Sequence, residues 1–525
     1  MSDNIENAVA IKEAAPSKAK PTRKDLNKIF DSIFSVAGKK VVINASKGKQ
    51  DVVITECIRL LAETGLVFDR GGLVGIDAED SIHPFTSATV RIAVSKLAHF
   101  IEDKHADGRT FQVAADIPAY VGHIAQLSRW DDVPVVDSIT DHPVITPDNR
   151  LVSAGFDSET KIFGRFDETD FHIPESPTME EAHAAITEMT RLLQTFEFDD
   201  QHDFAAALTG FLTAVSRPVL PTAPLVLLDA PDSGAGKGYL GGLMARIAFR
   251  KTPNSKQLPD DPDEIHKAIV SALMSAQPVI FFDELATNEL DCPAIRTLAS
   301  AEVYSARLLG VMREVNLSTR ALVLCTGNNI SPTADTSRRI LHIRLNPACE
   351  TPSARVFKFD AAAEMFKHRN HFVSLLLTIQ RAYLLAHARG EVKQPEQAIG
   401  GFKDWDLMCR RPIFELLGID PCQRMLDSMR NNPRKTDLLA VMVAWKEEFG
   451  FNLKMSAGGA LREIKFAGVA GEVVNRRPNT PLSAKSFGFW LNKHKDQVVE
   501  GMLFAVAGTT HGSVQWVLLQ NSRAG

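Results

Sequence analysis

Residues 221–243 read PTAPLVLLDAPDSGAGKGYLGGL, and this stretch decides the fold. The apolar run Leu225–Ala230 predicts a buried strand of a parallel sheet. The small residues after it can turn their N–H groups around an anion, and the next segment predicts a helix whose N-terminus faces the same place. Lys237 stands where a phosphate-binding lysine would stand, but Pro231 replaces the usual first glycine and Gly238 replaces the Ser or Thr that binds Mg²⁺. By itself the stretch fits a phosphate loop and a plain glycine-rich turn equally well.

Two later apolar runs end in polar residues of the types that phosphate chemistry needs. QPVIFFDEL (277–285) ends in Asp283 and Glu284, which suit a metal-bound water and an attacking water, although adjacent acids also begin helices. RALVLCTGNNI (320–330) ends in the polar residues Thr326, Asn328 and Asn329, where an amide can orient water, although Asn-Asn after Gly is also a common turn. Because parallel strands of an open sheet bind ligands at their carboxyl ends, we expect these side chains to meet Lys237 at one edge.

Composition indicates a soluble protein of several domains. The chain has 525 residues, of which 45% are apolar and 23% charged, and no run of 18 apolar residues predicts a membrane span. The six cysteines are scattered without a CxxC pair, which favours reduced thiols in a cytoplasm over disulfides or a zinc site.

Charge is unevenly distributed along the chain. Residues 451–525 carry nine Lys and Arg against four Asp and Glu, so this segment is at +5 while the whole chain is at −5. A basic C-terminal module on an acidic body is typical of a nucleic-acid-binding appendage, although a solvated surface of mixed charge is the open alternative.

The fold class predicted from these patterns is multidomain α/β. A disordered polar tail is expected over 1–23, an N-terminal α/β domain over 24–140 and a connector or collar over 141–200. A parallel α/β domain follows over 201–350, then a helical domain over 351–450 and a winged-helix-like basic domain over 451–525.

Local patterns predict individual elements within these domains. RGGLVGI (70–76) predicts a strand, and SATVRIAVSKLAHFIED (87–103) predicts one amphipathic helix. Thr178, with Glu181 three residues later, predicts the capped start of a helix.

The set of motifs resembles the AAA+ ATPase core of superfamily III-like helicases, and more closely the helicase proteins of phages, prophages and mobile genetic elements. The resemblance extends from about Asp141 to Gln520 and includes the segments 149–163, 198–231, 404–450 and 482–519. It implies that 201–350 is a P-loop AAA+ domain that uses ATP and Mg²⁺.

The resemblance also implies roles for individual residues. The loop Gly234, Ala235, Gly236, Lys237 and Gly238 would bind phosphates, and Asp283 would hold Mg²⁺. The catalytic set would be Glu284 as the activator of water, Asn328 as the sensor and Arg338 as a finger reaching the neighbouring subunit's ATP, with Arg339 the second choice. A finger acting in trans requires a ring, so a hexamer is implied.

Such motors grip DNA with a hairpin between the acid motif and the sensor, which here falls in YSARLLGVMREVNLSTR (304–320). Arg307 and Arg313 are the candidates there, with an ordinary surface arginine the open alternative for each. In the basic module Lys485, Lys493 and Lys495 are the candidates, while Trp490 fits the core better. The expected partners are single-stranded and forked DNA, further copies of the chain, and a primase or other replication proteins, in the cytoplasm of a bacterial host cell.

Three functions are compatible with the sequence. The favoured one is an ATP-dependent, ring-forming DNA helicase in replication of a phage or mobile element. The second is a DNA-binding initiator or scaffold that binds ATP to oligomerise with little hydrolysis, which Gly238 supports. The third, a bifunctional primase-helicase, is the least favoured because Lys24–Asp200 shows no persuasive paired-acid polymerase constellation.

Overall fold

The computed structural model describes residues 40–251, 255–285, 289–290, 292–307, 314–349, 355, 359–430, 433–475 and 481–520. They divide into two compact units, one of 1–332 with 339–422 and the other of 333–338 with 423–525. The tail expected over 1–23 lies outside the described residues. The domain boundaries drawn from sequence stay predictions.

The N-terminal part of the first unit is a set of small sheets with flanking helices. Its strands are Val41–Asn44, Val67–Asp69, Leu73–Ile76, Ile82–Pro84, Ala98–Ala106, Arg109–Ala115, Ser138–Thr140, Val144–Ile145, Leu151–Val152, Gly155–Asp157 and Ile162–Gly164. Its α-helices are Gln50–Glu63, Ser87–Leu97 and Met179–Thr190, and its 3-10 helices are Ala119–Gln126, Glu168–Asp170 and Arg191–Leu193. The last α-helix begins as predicted, because Thr178 and Glu181 cap each other's backbone N–H groups.

The single helix predicted over 87–103 is wrong over its last six residues. The helix ends at Leu97, and Ala98–Ala106 is a strand that pairs in parallel with Val41–Asn44 and antiparallel with Arg109–Ala115. Ala98 and Phe100 are buried while His99 is exposed, which is the alternation of a strand. The partner strands, which are distant in sequence, override the local helical pattern.

The centre of the first unit is a five-stranded parallel sheet. From one edge to the other the strands run in the order Ser255–Lys256, Val279–Phe282, Leu322–Asn328, Leu225–Ala230 and Ile340–Arg344. All side chains of the strand Leu225–Ala230 are buried, as its apolar run predicts. The connection after this strand leads to one edge of the sheet, whereas the connection after Leu322–Asn328 leads to the opposite edge. The carboxyl ends of these two neighbouring strands therefore flank a switch point, where open α/β sheets bind ligands.

Helices cover the sheet and extend beyond it. They are Gln201–Ser216, Lys237–Ala248, Pro262–Met274, Pro293–Ser300, Ala361–Ala388, Lys403–Trp405 and Arg411–Leu417, with a π-helical turn at Asp406–Arg410. The remaining strands of the unit are the short pair Glu289–Leu290 and Ser331–Pro332, and the antiparallel pair Val303–Arg307 and Glu314–Ser318, here named the hairpin.

Two adjacent glycines in the helix Lys237–Ala248 make the packing of this helix testable. A Cβ on Gly241 would lie 2.8 Å from Phe281 Cζ and 3.0 Å from Leu228 Cδ1, whereas a Cβ on Gly242 meets none of the described atoms within 4 Å. We expect Gly241→Ala to destabilise the protein by about 1–3 kcal/mol through overpacking. Gly242→Ala should instead stabilise it by roughly 0.5–1 kcal/mol, because alanine is the better helix former. Urea unfolding of the two variants measures the difference, and equal midpoints would contradict this packing.

The second unit contains helices and a small antiparallel sheet. Its helices are Ala334–Ser337, Gln423–Arg430, Pro433–Phe449, Ala457–Ala460, Ile464–Asn475 and Ala484–His494. Its strands Met455–Ser456, Met502–Thr510 and Ser513–Gln520 form one sheet with the last strand in the middle. Its core is aromatic, with the Trp445 ring 5.2 Å from that of Phe504 and 5.5 Å from that of Phe466. Trp490 stacks on Phe487 of this core, as its sequence context favours.

Candidate active site

The loop 231–236 forms a concave turn in front of a helix N-terminus. Gly234 has φ +78° and Gly236 has φ +98°, so both occupy the left-handed region that favours glycine. Gly236 is the N-cap of the helix that begins at Lys237, and it offers no side chain to cap the first-turn N–H groups. The unsatisfied N–H groups and the positive end of the helix dipole make this turn favourable for an anion.

Lys237 links the loop to a second strand of the sheet. Its ammonium group donates a hydrogen bond to the carbonyl oxygen of Asp232 at 2.9 Å and another to Asn328 Oδ1 at 2.6 Å. Burial lowers the pKa of Lys237, although the nearby carboxylates of Asp229, Asp283 and Glu284 act in the opposite direction. The sequence-predicted lysine and sensor amide are therefore in direct contact.

The acid pair follows the strand Val279–Phe282 and is positioned by Thr326. The hydroxyl of Thr326 donates to Asp283 Oδ1 at 2.5 Å and accepts a hydrogen bond from the backbone N–H of Glu284 at 2.9 Å. Glu284 has φ +55°, an unusual conformation for a residue with a side chain, and its side chain is exposed. A strained residue held by neighbours is a feature that clusters at functional sites.

These groups surround one cavity of about 780 Å³. It is lined by Ser233, Gly234, Gly236, Lys237, Gly238, Gln257, Asp283, Glu284, Leu285, Thr326, Gly327 and Asn328. Of the loop residues predicted to bind phosphate, Gly234, Gly236, Lys237 and Gly238 line the cavity, whereas Ala235 is buried and does not line it. Three strand ends thus contribute an ammonium, two carboxylates and an amide to one space, which is large enough for a nucleotide-sized ligand.

The chemistry of these groups fits a magnesium–phosphate ligand. Among the described residues there is no group of three or more His, Cys, Asp or Glu that could hold a metal by itself. Mg²⁺ does not need one, since it is usually bound by one or two carboxylates together with water and substrate phosphates. Asp283 supplies one such carboxylate. An ideal Cβ on Gly238 lies 3.9 Å from Asp283 Oδ1, so the backbone where a Ser or Thr hydroxyl would stand is next to this carboxylate.

A polar cluster next to the loop was missed by the sequence interpretation. Asp229 is fully buried in the strand Leu225–Ala230, where it pairs with Arg344 and accepts a 3.0 Å hydrogen bond from the Ile330 N–H. Burial raises the pKa of Asp229, but the contacts from His342, Ile330 and Arg344 outweigh it and hold the pKa below its ordinary value. The signal was present in the sequence, because Asp229 is a lone acid in an otherwise apolar strand.

The same cluster fixes the second asparagine of the pair. Asn329 accepts a hydrogen bond from Arg344 Nη2 at 2.9 Å and donates one to the carbonyl oxygen of Pro231 at 3.1 Å. Arg344 therefore ties the strand Leu225–Ala230 to the residue that follows the strand Leu322–Asn328, and Asn329 extends this link to the loop at Pro231. Asn328 faces the cavity, and Asn329 holds the backbone that presents it.

The other predicted site residues lie elsewhere. Arg338 belongs to the second unit, where it ends the helix Ala334–Ser337 and lies 3.8 Å from Asp335. Arg307 lies at the end of a hairpin strand, on the wall of a separate cavity of about 620 Å³ that Arg70, His266 and Lys267 also line. Arg313 lies outside the described residues.

The three lysines predicted to bind DNA are exposed in the second unit. Lys485 and Lys493 are on the helix Ala484–His494, and Lys495 follows it. Lys485 lines a cleft of about 750 Å³ whose other residues include Phe489 and Val506, which are 67% and 49% exposed. The surface beside this lysine is thus partly apolar.

The chain is remotely similar to several solved structures. No protein-family model and no curated protein matches the chain. The apo structure of the C-terminal region of NrS-1 is similar with a TM-score of 0.36 at 10% identity, over 86% of this chain and 96% of that one. The structure of JCV helicase gives a TM-score of 0.23 at 12% identity, over 56% of this chain and 65% of that one. The structure of JCV helicase bound to an acetamide compound gives a TM-score of 0.21 at 10% identity, over 51% of this chain and 69% of that one.

In the described part of the chain, no helix combines the length and the hydropathy that a membrane span requires.

Proposed function

We propose that the protein is an ATPase whose hydrolysis of MgATP drives a ring-forming DNA helicase in the replication of a phage or mobile element. One observation carries the proposal: Lys237, Asp283, Glu284 and Asn328, from three strand ends, surround one cavity in front of a helix N-terminus. This combination supplies each group that phosphoryl transfer to water requires, namely a phosphate cradle, a cation site, a base and a water-orienting amide.

Each residue has a separate task in the proposed reaction. Bound MgATP supplies the phosphoanhydride bond that is broken. Lys237 and the loop N–H groups hold the phosphate oxygens and stabilise the charge that develops on them. Asp283 holds the cation, Glu284 accepts a proton from the attacking water, and Asn328 orients that water once Lys237 turns from its amide oxygen to the phosphates.

The DNA-related part of the proposal rests on features outside the cavity. The chain resembles AAA+ helicases in its motifs, it has a hairpin with Arg307 between the acid pair and Asn328, and its residues 451–525 carry a net charge of +5. Arg338 is exposed on its own unit, as a finger that acts on a neighbouring subunit would need to be. These features support the roles predicted for the arginine finger, the hexamer and the basic module.

Strand displacement tests the proposed function directly. The full chain should hydrolyse ATP faster when single-stranded DNA is added and should separate a forked duplex with ATP but not with a non-hydrolysable analogue. Mass photometry with ATP should show particles of about six chains. If DNA does not change the rate of hydrolysis and the fork stays paired, the helicase proposal is wrong, while the ATPase proposal still stands.

Gly238 favours a second candidate function. Without a hydroxyl at this position the cation loses a usual protein ligand, and an ATP-dependent initiator or scaffold that rarely hydrolyses needs none. This candidate predicts tight ATP binding and ATP-dependent assembly on DNA with negligible turnover and no fork unwinding. The same set of assays separates the two functions.

Gly238→Ser gives a prediction about this cation site. The added side chain would start 3.9 Å from Asp283 Oδ1, within reach of a shared cation, so we expect it to lower the Mg²⁺ concentration for half-maximal ATPase activity by roughly tenfold. Gly242→Ser is the matched control, because it lies on the same helix and an added Cβ there meets no described atom within 4 Å. A magnesium titration of ATPase activity gives the comparison, and a Gly238→Ser curve that coincides with the control would place the cation elsewhere.

A further inference from the structure

The turn Arg70–Gly72 packs against the hairpin strand Glu314–Ser318. Gly71 has φ +65°, and an ideal Cβ on it would lie 3.2 Å from Val315 Cβ and 3.3 Å from Leu317 Cδ2. Val315 and Leu317 belong to the hairpin strand Glu314–Ser318 and are 2% and 0% exposed. A residue with a side chain at this position would strain the backbone and would push against this strand.

Arg70 fixes the turn to three elements at once. Its buried guanidinium donates to the carbonyl oxygens of Leu273 at 2.8 Å and Asp137 at 2.6 Å, and it lies 3.5 Å from the carbonyl oxygen of Ser318. Burial lowers the pKa of Arg70 to about 10, which leaves it charged at neutral pH. A buried charge held by backbone carbonyls makes this turn a fixed point and not a mobile loop.

Both strands of the hairpin are linked to elements that carry residues of the candidate active site. The strand Glu314–Ser318 continues through Thr319 into Leu322–Asn328, and Arg217 holds the junction by donating to the carbonyl oxygens of Thr319 at 2.6 Å and Ala321 at 3.0 Å.

The other hairpin strand is linked through a helix. The hydroxyl of Tyr304 lies 2.7 Å from His266 Nδ1 on the helix Pro262–Met274. That helix precedes the strand Val279–Phe282, which ends next to Asp283. A displacement of the hairpin strands would thus also displace Asn328 and the acid pair.

We infer that the turn Arg70–Gly72 is a seat that sets the position of the hairpin strand Glu314–Ser318 and so couples DNA contact at the hairpin to ATP hydrolysis. The inference rests on the proposed function and gives the N-terminal region a task in it. With the hairpin seated, force on its strands is transmitted to Asn328 and Asp283. With the seat loosened, the hairpin moves without changing the site.

Two glycines with nearly the same backbone conformation make the test specific. Gly65 has φ +67°, and a Cβ on it meets none of the described atoms within 4 Å, so Gly65→Ala adds the backbone strain of Gly71→Ala without the clash. In the full chain we expect Gly71→Ala to keep the basal ATPase rate and to reduce its stimulation by single-stranded DNA by about fivefold or more. Gly65→Ala should keep both. Hydrogen exchange of the amides in 314–318 should be faster in Gly71→Ala alone.

A variant on the hairpin strand Glu314–Ser318 tests the same inference without a change in the turn. If Gly71→Ala does not fold, Val315→Ala by itself loosens the seat from the hairpin side and should show the same loss of stimulation at an unchanged basal rate.

The possible outcomes distinguish a failure of this inference from a failure of the proposed function. Equal DNA stimulation and equal hydrogen exchange in Gly71→Ala and Gly65→Ala would overturn the seat while the proposed ATPase and helicase stand. A wild-type chain that hydrolyses ATP without any response to DNA would overturn the coupling and the helicase together, whatever the glycine variants do.

Discussion

Lys237→Ala should abolish ATP hydrolysis by the full chain, with a fall of at least about a hundredfold in kcat/KM. The ammonium is the one side-chain cation that the structure places on the wall of the cavity, among its described residues, and it already reaches the strand end that carries Asn328. Alanine leaves the loop glycines and the helix N-terminus in place. The loss should therefore appear in both ATP affinity and turnover without unfolding the sheet.

Steady-state ATPase rates and binding of a fluorescent ATP analogue give the two quantities. Lys367→Ala, an exposed lysine on the helix Ala361–Ala388, is the matched control and should behave as wild type. Thermal melting should show that both variants remain folded. A Lys237→Ala protein that still hydrolyses ATP within a few-fold of wild type would mean that the loop is a plain glycine-rich turn.

Glu284→Gln should separate binding of ATP from its hydrolysis. The amide has the shape of the carboxylate but cannot accept a proton from water, and loss of a general base costs about 10²- to 10⁴-fold in rate. The backbone N–H of Glu284 is held by Thr326, so the new side chain should start from the same place. ATP affinity should stay within a few-fold of wild type, and oligomers that depend on ATP should persist for longer.

Single-turnover hydrolysis and equilibrium binding measure these two effects. Glu284→Gly is a second test variant, because a φ of +55° is strained for glutamate and relaxed for glycine. This variant should be equally inactive and more stable by about 1 kcal/mol. If Glu284→Gln retains normal turnover, then Glu284 is a turn residue and another group activates the water.

The sequence predicts the central sheet well because its information is local. The strands Val279–Phe282 and Leu322–Asn328 are apolar runs that end at polar residues of the cavity, and Leu225–Ala230 is apolar apart from Asp229. Lys237, Asp283 and Asn328 could therefore be chosen before their convergence was visible. The helix at Met179 could be chosen for the same reason, since Thr178 and Glu181 are three residues apart.

The parts that failed or were missed depend on distant partners. Ala98–Ala106 has a helical pattern but pairs with a strand more than fifty residues earlier in the chain. The role of Arg344 becomes visible only when its neighbours Asp229 and Asn329, far away in sequence, are placed beside it. In the same way the glycine at 71 looks like an ordinary turn residue until Val315 and Leu317 lie against it.

The bond between Lys237 and Asn328 has a kinetic consequence. It holds the loop and the strand Leu322–Asn328 together before any ligand arrives, so under the proposed function the backbone is already in place and the Lys237 side chain alone has to turn when ATP binds. Association should then be governed by diffusion and charge steering, and changes in the loop should show mainly in residence time.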